Sequence, residues 1–250
     1  MTRRRWIADE VHGDTATLVG EHAAHLSRVL RAQIGQEFDI ATGQAVREGK
    51  ITSISDNRVE FALGAELPAK ASLKVTLLLA IFKFDRMEWA IEKCTEIGVA
   101  KIIPLIARRT DSHLAAAATK RHERWQRIAG QASEQARRNA PPEITAPLKF
   151  KDLGRTDNLA TSEIREDPCA QKIVLAESES ETRLRDILTG QSVPKVRGIM
   201  LAIGPEGGWT DDELIWFRQS GWQAASLGDN ILRAETAAIV ATALTLDALR

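Results

Sequence analysis

The run Leu73–Phe82 (LKVTLLLAIF) is nearly all apolar and shows no period-two alternation. A strand with one face in water alternates polar and apolar residues, so such a run fits a strand covered on both faces, as in a parallel sheet. Comparable runs follow at Ile102–Ile106, Ile173–Ala176 and Ile199–Ile203, with a weaker one at Ala224–Leu227. Helical patterns lie between them. Asp85, with Glu88 three residues on, offers a carboxylate version of a capping box; Met87, Ile91, Cys94 and Ile97 make an apolar stripe, and Gly98 supplies a stop. A second helix is expected from about Arg121 to Asn139, with Trp125, Ile128, Ala129, Ala132 and Ala136 on one face and Pro141-Pro142 ending it. These features predict an α/β domain, a parallel sheet with flanking helices, over residues 71–250.

Upstream the texture differs. Short alternating runs at Thr15–Val19, Glu37–Ala41, Lys50–Ile54 and Arg58–Leu63 are separated by Gly or Asp-Asn turn signals and read as strands of a small β-barrel or sandwich over residues 1–70. One helical stretch, Glu21 to Leu30, interrupts them with the stripe Ala23, Leu26, Val29 and Leu30. Glu66-Leu67-Pro68-Ala69-Lys70-Ala71-Ser72 has the composition of a linker.

Several chemistries lack support. Gly43 and Gly49-Lys50-Ile51 fail as a phosphate loop, because the glycines are too far apart, Ile51 stands where a hydroxyl must reach magnesium, and strands follow. No G-x-G-x-x-G occurs, the five histidines have no metal-ligand spacing, and the chain has no Tyr. Cys94 and Cys169 have neither zinc nor C-x-x-C spacing, which fits reduced thiols, no metal and a cytoplasmic location. No apolar run approaches the roughly 18 residues of a membrane span, and no apolar signal core follows the basic start Thr2-Arg3-Arg4-Arg5. The formal net charge is zero, yet between Lys101 and Arg138 nine basic residues face three acidic ones. That local excess is either a solvated helical face or a contact to nucleic acid.

Two segments stand out. In Ile199–Glu213 (IMLAIGPEGGWTDDE) a buried strand runs into Gly204, Pro205, Gly207 and Gly208, and Thr210 with Glu213 then forms a capping box. In Ser226–Ala238 (SLGDNILRAETAA) a short strand ends in Gly228, and an Ala-rich helix follows whose start carries the charges Arg233 and Glu235. Glycine turns at the carboxyl ends of parallel strands are where α/β proteins place ligands, and a charge at a buried helix start requires a partner or a ligand.

Ile203–Gly208 (IGPEGG) and Leu227–Ala237 (LGDNILRAETA) together resemble the paired C-terminal signatures of SPOUT-class methyltransferases, and in particular those of the RsmE family. His25-Leu26-Ser27-Arg28-Val29-Leu30-Arg31, Met87-Glu88, Glu96-Ile97-Gly98-Val99, Arg108-Arg109-Thr110, Arg124-Trp125, Glu134-Gln135 and Arg138 to Pro142 follow in that family's order, so the resemblance spans nearly the whole chain. It implies an N-terminal PUA-like β-barrel that helps bind RNA, a C-terminal α/β domain with a deep trefoil knot, and a homodimer. It further implies methylation of N3 of a uridine in 16S ribosomal RNA of the small ribosomal subunit, with S-adenosyl-L-methionine as cofactor. Carried onto this sequence, the cofactor contacts fall on Leu201, Ile203, Gly204, Gly207, Gly208, Leu227, Gly228, Ile231, Leu232 and Thr236. The RNA contacts fall on Arg28, Arg31, Lys83, Arg108, Arg109, Arg137 and Arg138. Where the family usually has Arg, this chain has Asn230, which leaves Arg233 as the only Arg of the loop.

For the chemistry, Arg233 and Glu206 are the candidates to help the uracil N3 proton leave, as a cation beside the developing charge and as a base. Their alternative role is to pair with one another and hold the loops. Ribose 2′-O-methylation by another SPOUT enzyme, and a non-catalytic RNA-binding assembly factor, are the competing functions.

Overall fold

The computed structural model describes residues 5–43, 45–55, 57–67, 74–153, 170–190 and 198–248. Cys169 and most of the expected linker lie outside the described residues. The chain divides into two compact units, Met1–Ala71 with Ser133–Pro141, and Ser72–Ala132 with Pro142–Arg250.

The first unit is built on a six-stranded sheet. Its strands are β1 (Arg5–Ile7), β2 (Glu10–His12), β3 (Thr15–Val19), β4 (Glu37–Ala41), β5 (Val46–Ile54) and β6 (Arg58–Leu67), in the order β1-β4-β5-β6-β3-β2. Only β1 and β4 are parallel. Strand β5 starts four residues before the expected Lys50 because register shifts between Arg47 and Gly49 and between Ile51 and Ser53 break the alternation that sequence periodicity detects. Gly49 carries no side chain where Ile40 of β4 packs across the ladder. The expected helix is α1 (Gly20–Ala24) continued by a π-turn, His25–Val29. The wider turn keeps Ala23 and Leu26 buried and rotates Val29 outward to 66% exposure, so the predicted four-residue stripe is two residues shorter at its buried centre.

The second unit is a parallel sheet. Its strands are β7 (Lys74–Ala80), β8 (Lys101–Ile106), β9 (Glu143–Ile144), β10 (Leu148–Lys149), β11 (Ala170–Leu175), β12 (Gly198–Ile203) and β13 (Gln223–Ala225). The order is β10-β8-β7-β12-β11-β13, with β9 pairing β8. Both faces are covered, as the apolar run predicts. Val75, Leu77 and Leu79 of β7 join one core with Met87, Trp125 and Ala238, whereas Leu78 and Ala80 join the other with Phe217 and Trp222. Helices α2 (Phe84–Ile97), α3 (Ser112–Gln135), α4 (Leu184–Thr189) and α6 (Ala234–Ala248) contribute to the first of these cores, and α5 (Asp211–Gln219) to the second.

Three helix boundaries differ from the sequence expectation. Asp85 does not cap α2: Lys83 occupies that position without a side-chain cap bond, and Glu88 instead pairs with Arg124 at 2.8 Å. Gly98 does close the helix, with a φ of 127° that favours glycine. Helix α3 begins at Ser112 rather than near Arg121, because Asp111 Oδ1 accepts hydrogen bonds from the amides of His113 and Leu114 and the alanines after Leu114 favour helix without marking an apolar stripe. It ends at Gln135, before Arg137, whose φ of 55° breaks the helical path.

Within the first unit, His22 bridges Asp9 (Nδ1–Oδ1 3.0 Å) and Glu134 (Nε2–Oε1 2.8 Å). The hydrogen bonds to the two carboxylates push the imidazole up to about 10. Because the folded value is raised, the ionic stabilisation is fully present below the ordinary histidine range and is lost as pH climbs from about 6.5 towards 10. His22→Gln should therefore lower stability at pH 6 by about 1 kcal/mol, the size expected for a water-screened pair, and by nothing at pH 10. Thermal melts of both proteins across that range test this; a pH-independent difference would rule out the charge.

Candidate functional site

Strands β12, β11 and β13 are neighbours and parallel, so their carboxyl ends share one edge of the sheet. The loops leaving them enclose a cavity of about 740 Å³. One wall is the segment from Ile203 to Trp209 after β12, a second runs from Ser226 to Arg233 after β13, and a third is Ala176–Glu179 after β11. Both glycine segments singled out in the sequence thus face one space. The third wall has no glycine and no motif, and only its place after an apolar run could have drawn notice.

The loop after β12 is held from several sides. Trp209 Nε1 donates to the carbonyl of Leu175 at 2.9 Å while its ring fills the space beside Gly204, where an added Cβ would approach the indole to 3.2 Å. Arg109 Nη1 donates to the carbonyls of Gly207 (2.8 Å) and Trp209 (3.2 Å). The expected capping box forms: Glu213 Oε2 accepts from the Thr210 amide at 2.8 Å, and the Thr210 hydroxyl accepts from the Glu213 amide at 3.3 Å. In the second loop Gly228 has a φ of 123°, and a Cβ built there would meet no protein atom within 4 Å. That vector leads into open space, so what favours glycine among protein contacts is the positive φ alone.

Of the residues expected to hold a cofactor, Ile203, Gly204, Gly207, Gly208, Leu227, Gly228, Ile231 and Leu232 line the cavity. Leu201 and Thr236 do not. Leu201 lies inside β12, fully buried in the core, and Thr236 sits one residue before Ala237 on α6, turned about 100° away from the face Ala237 presents.

The charges are arranged differently from the alternative in which Glu206 and Arg233 pair with one another. Glu206 Oε1 pairs with Arg86 Nη1 of α2 at 3.2 Å. Arg86 Nε also lies 3.8 Å from Glu235 Oε1, and Glu235 is buried with Oε2 unpartnered. Arg86 lies well over a hundred residues from these carboxylates in sequence, with no motif of its own to flag it. Arg233 lines the cavity, is exposed, and forms no ion pair with any described residue.

The residues expected to contact RNA separate. In the first unit Arg28 and Arg31 are exposed, as is Arg137, whose carbonyl accepts from Arg5 at 2.6 Å. Arg138 is half-buried, and desolvation pulls its guanidinium below the ordinary value. In the second unit Lys83 and Arg108 are exposed, but Arg109 is committed to the loop carbonyls. Cys94 is inert: burial pushes its thiol up to about 12. No metal-binding cluster exists among the described residues, and no helix among them is long and apolar enough to cross a membrane.

Comparison with known proteins gives the class first: residues 69–246 match the model of the RNA methyltransferase domain. The ribosomal RNA small subunit methyltransferase E of Synechocystis is 34% identical, over 92% of this chain and 72% of the relative. That of Bacillus subtilis is 30% identical, over 91% and 88%. The crystal structure of the Neisseria gonorrhoeae enzyme of that name, bound to S-adenosyl methionine, superposes with a TM-score of 0.76 at 26% identity, over 96% of this chain and 95% of that one. The chain belongs to the ribosomal RNA small subunit methyltransferase E family.

Gly228 lines the cavity and an added Cβ meets no protein atom within 4 Å, so Gly228→Val puts a side chain on the cavity wall. Calorimetry should show S-adenosylmethionine affinity falling at least about tenfold, while folding stability falls only by the strain of a side chain at positive φ, about 1–2 kcal/mol. Unchanged affinity in the folded variant would remove this loop from the site.

Proposed function

We propose that the chain methylates N3 of a uridine in 16S ribosomal RNA of the small subunit, with S-adenosylmethionine held in the cavity at the ends of β11, β12 and β13. The observation that carries the reading is the convergence of the two glycine loops on one cavity, with Arg233 unpaired on its wall. The cofactor supplies an electrophilic methyl group on a sulfonium. Gly228 offers the close backbone approach, Ile203, Leu227, Ile231 and Leu232 supply apolar cover, and the Arg109-clamped loop fixes the floor.

Methyl transfer to a ring nitrogen is an in-line displacement, so positioning supplies much of the rate. The N3 proton passes to solvent water as charge develops on the uracil oxygens, and a preorganised cation lowers the energy of that charge. Arg86 takes up the carboxylate of Glu206, which leaves Arg233 to face the incoming base. In this reading Glu206 holds the loop against α2. Arg28, Arg31 and Arg137 of the first unit, with Lys83 and Arg108 of the second, are the proposed phosphate contacts. The PUA-like barrel, the trefoil knot, the cytoplasmic location and the homodimer belong to the same reading. Its support for self-association is two exposed apolar side chains, Trp89 on α2 and Leu244 on α6, 47% and 42% exposed.

Mass spectrometry of nucleosides from small-subunit ribosomal RNA of cells with and without the protein tests the reaction; loss of a base-methylated uridine is expected, and loss of a ribose-methylated nucleotide would overturn it. Arg233→Lys keeps charge but lacks the directed fork of donors. Single-turnover rates at saturating cofactor should fall by about a hundredfold or more while cofactor affinity holds. A parallel loss of both would make Arg233 a loop-holding residue.

A further inference from the structure

A second concavity, of about 380 Å³, opens beside the strand ends of β8 and β10. Lys149 pairs in register with Ile106, and Arg108 lies two residues past it, so Arg108, Lys149 and Lys151 converge on this space with the half-buried rings of Phe150 and Trp216. The three cations are exposed, and none forms an ion pair with a described residue. Two carboxylates also line the concavity. Glu213 is 1% exposed and already engaged: Oε1 accepts from the Arg108 amide at 2.8 Å, and Oε2 from the Thr210 amide and hydroxyl. Asp212 alone is exposed. Phe150 and Trp216 meet edge to face at 5.3 Å.

We propose that this concavity binds a single-stranded nucleotide of the RNA next to the one that is methylated, its phosphate on Lys149, Lys151 and Arg108 and its base against Trp216 and Phe150. Unpaired cations beside aromatic rings are the chemistry that recognises unstacked nucleotides, and the volume falls at the small end of the roughly 300–1,000 Å³ of ligand cavities. Its place fits a flanking nucleotide. Arg108 lines this concavity while the next residue, Arg109, lines the cofactor cavity and grips the 207–209 backbone, so the two spaces lie on either side of one short segment. A capping carboxylate, Glu213, ties that segment to the Arg108 backbone. The inference rests on the RNA-methylation reading for its substrate.

The test compares the full chain with Lys149→Ala/Lys151→Ala, both exposed positions, and with Trp216→Leu. Binding is measured to a uridine-containing single-stranded RNA oligonucleotide and to small ribosomal subunits from cells lacking the protein, over a range of salt. Removing two phosphate contacts should lower the slope of log affinity against log salt by about 1.4 and weaken RNA binding at least tenfold at moderate salt. Trp216→Leu should weaken it about tenfold with the slope unchanged. S-adenosylmethionine affinity should stay as in the parent in all variants. An unchanged slope and affinity in the double-lysine variant overturns the proposal, whether or not Trp216→Leu folds. Weaker binding to subunits with normal binding to free RNA overturns it in favour of a ribosomal protein contact. A parent chain that binds RNA with the expected slope but transfers no methyl group refutes the methylation reading and leaves the nucleotide site standing.

Discussion

Burial of a parallel sheet on both faces is the constraint from which the rest of the second unit follows. Parallel strands need crossovers, and crossovers bring every strand through the sheet in the same direction, so their carboxyl ends collect on one edge. The side chains of β12 from Ile199 to Ala202 are committed to the two cores, and only Ile203 at its end reaches the cavity. Recognition is therefore left to the loops. The three that leave β11, β12 and β13 differ in sequence but are forced into company by strand order, and the cavity is the space between them.

Loops released from a sheet edge need bonds of their own if they are to hold a shape. Here they are supplied by side chains reaching back to backbone: Trp209 to Leu175, Arg109 to Gly207 and Trp209, Glu213 to Thr210 and Arg108. The Glu206–Arg86–Glu235 arrangement adds an electrostatic tie between the loop after β12, α2 and the start of α6. Glu235 sits in the first turn of α6, where the helix dipole favours a carboxylate, and this offsets part of the cost of burying a charge whose second oxygen has no partner. Such a network rigidifies the walls before any ligand arrives, which is the condition for electrostatic preorganisation.

What the sequence made legible follows the range of each signal. The runs at Leu73–Phe82 and Ile199–Ile203 report burial on both faces, a property of neighbouring residues, and the strands lie there. The Thr210–Glu213 box and the Gly98 stop are likewise local, and both form. Asp85 failed as a cap although its spacing was right, since the helix begins two residues earlier, with Lys83 at the cap, and Glu88 is drawn to Arg124 from another helix. The bulged half of β5 escaped notice because irregular register erases alternation. In the site, glycines marked two walls, whereas Arg86 and the loop Ala176–Glu179 arrive through tertiary packing and leave no pattern along the chain. The alternative that paired Glu206 with Arg233 fails for the same reason: both lie in the loops along the chain, and α2 supplies Glu206 with another cation.

Charge shows the same contrast between count and arrangement. The segment Lys101–Arg138 looks strongly basic, yet much of that charge is spoken for. Arg121 and Arg124 share Glu88, and Lys101 meets Glu143. A guanidinium already paired contributes little potential to an approaching phosphate, because its partner cancels most of its field within a Debye length. Arg233 keeps its field on the cofactor cavity wall, and Arg108, Lys149 and Lys151 keep theirs on the neighbouring concavity. Three of those four lie outside the segment whose composition drew attention. A chain of zero net charge can thus present a polyanion with a positive edge where its chemistry is done, by neutralising its cations elsewhere.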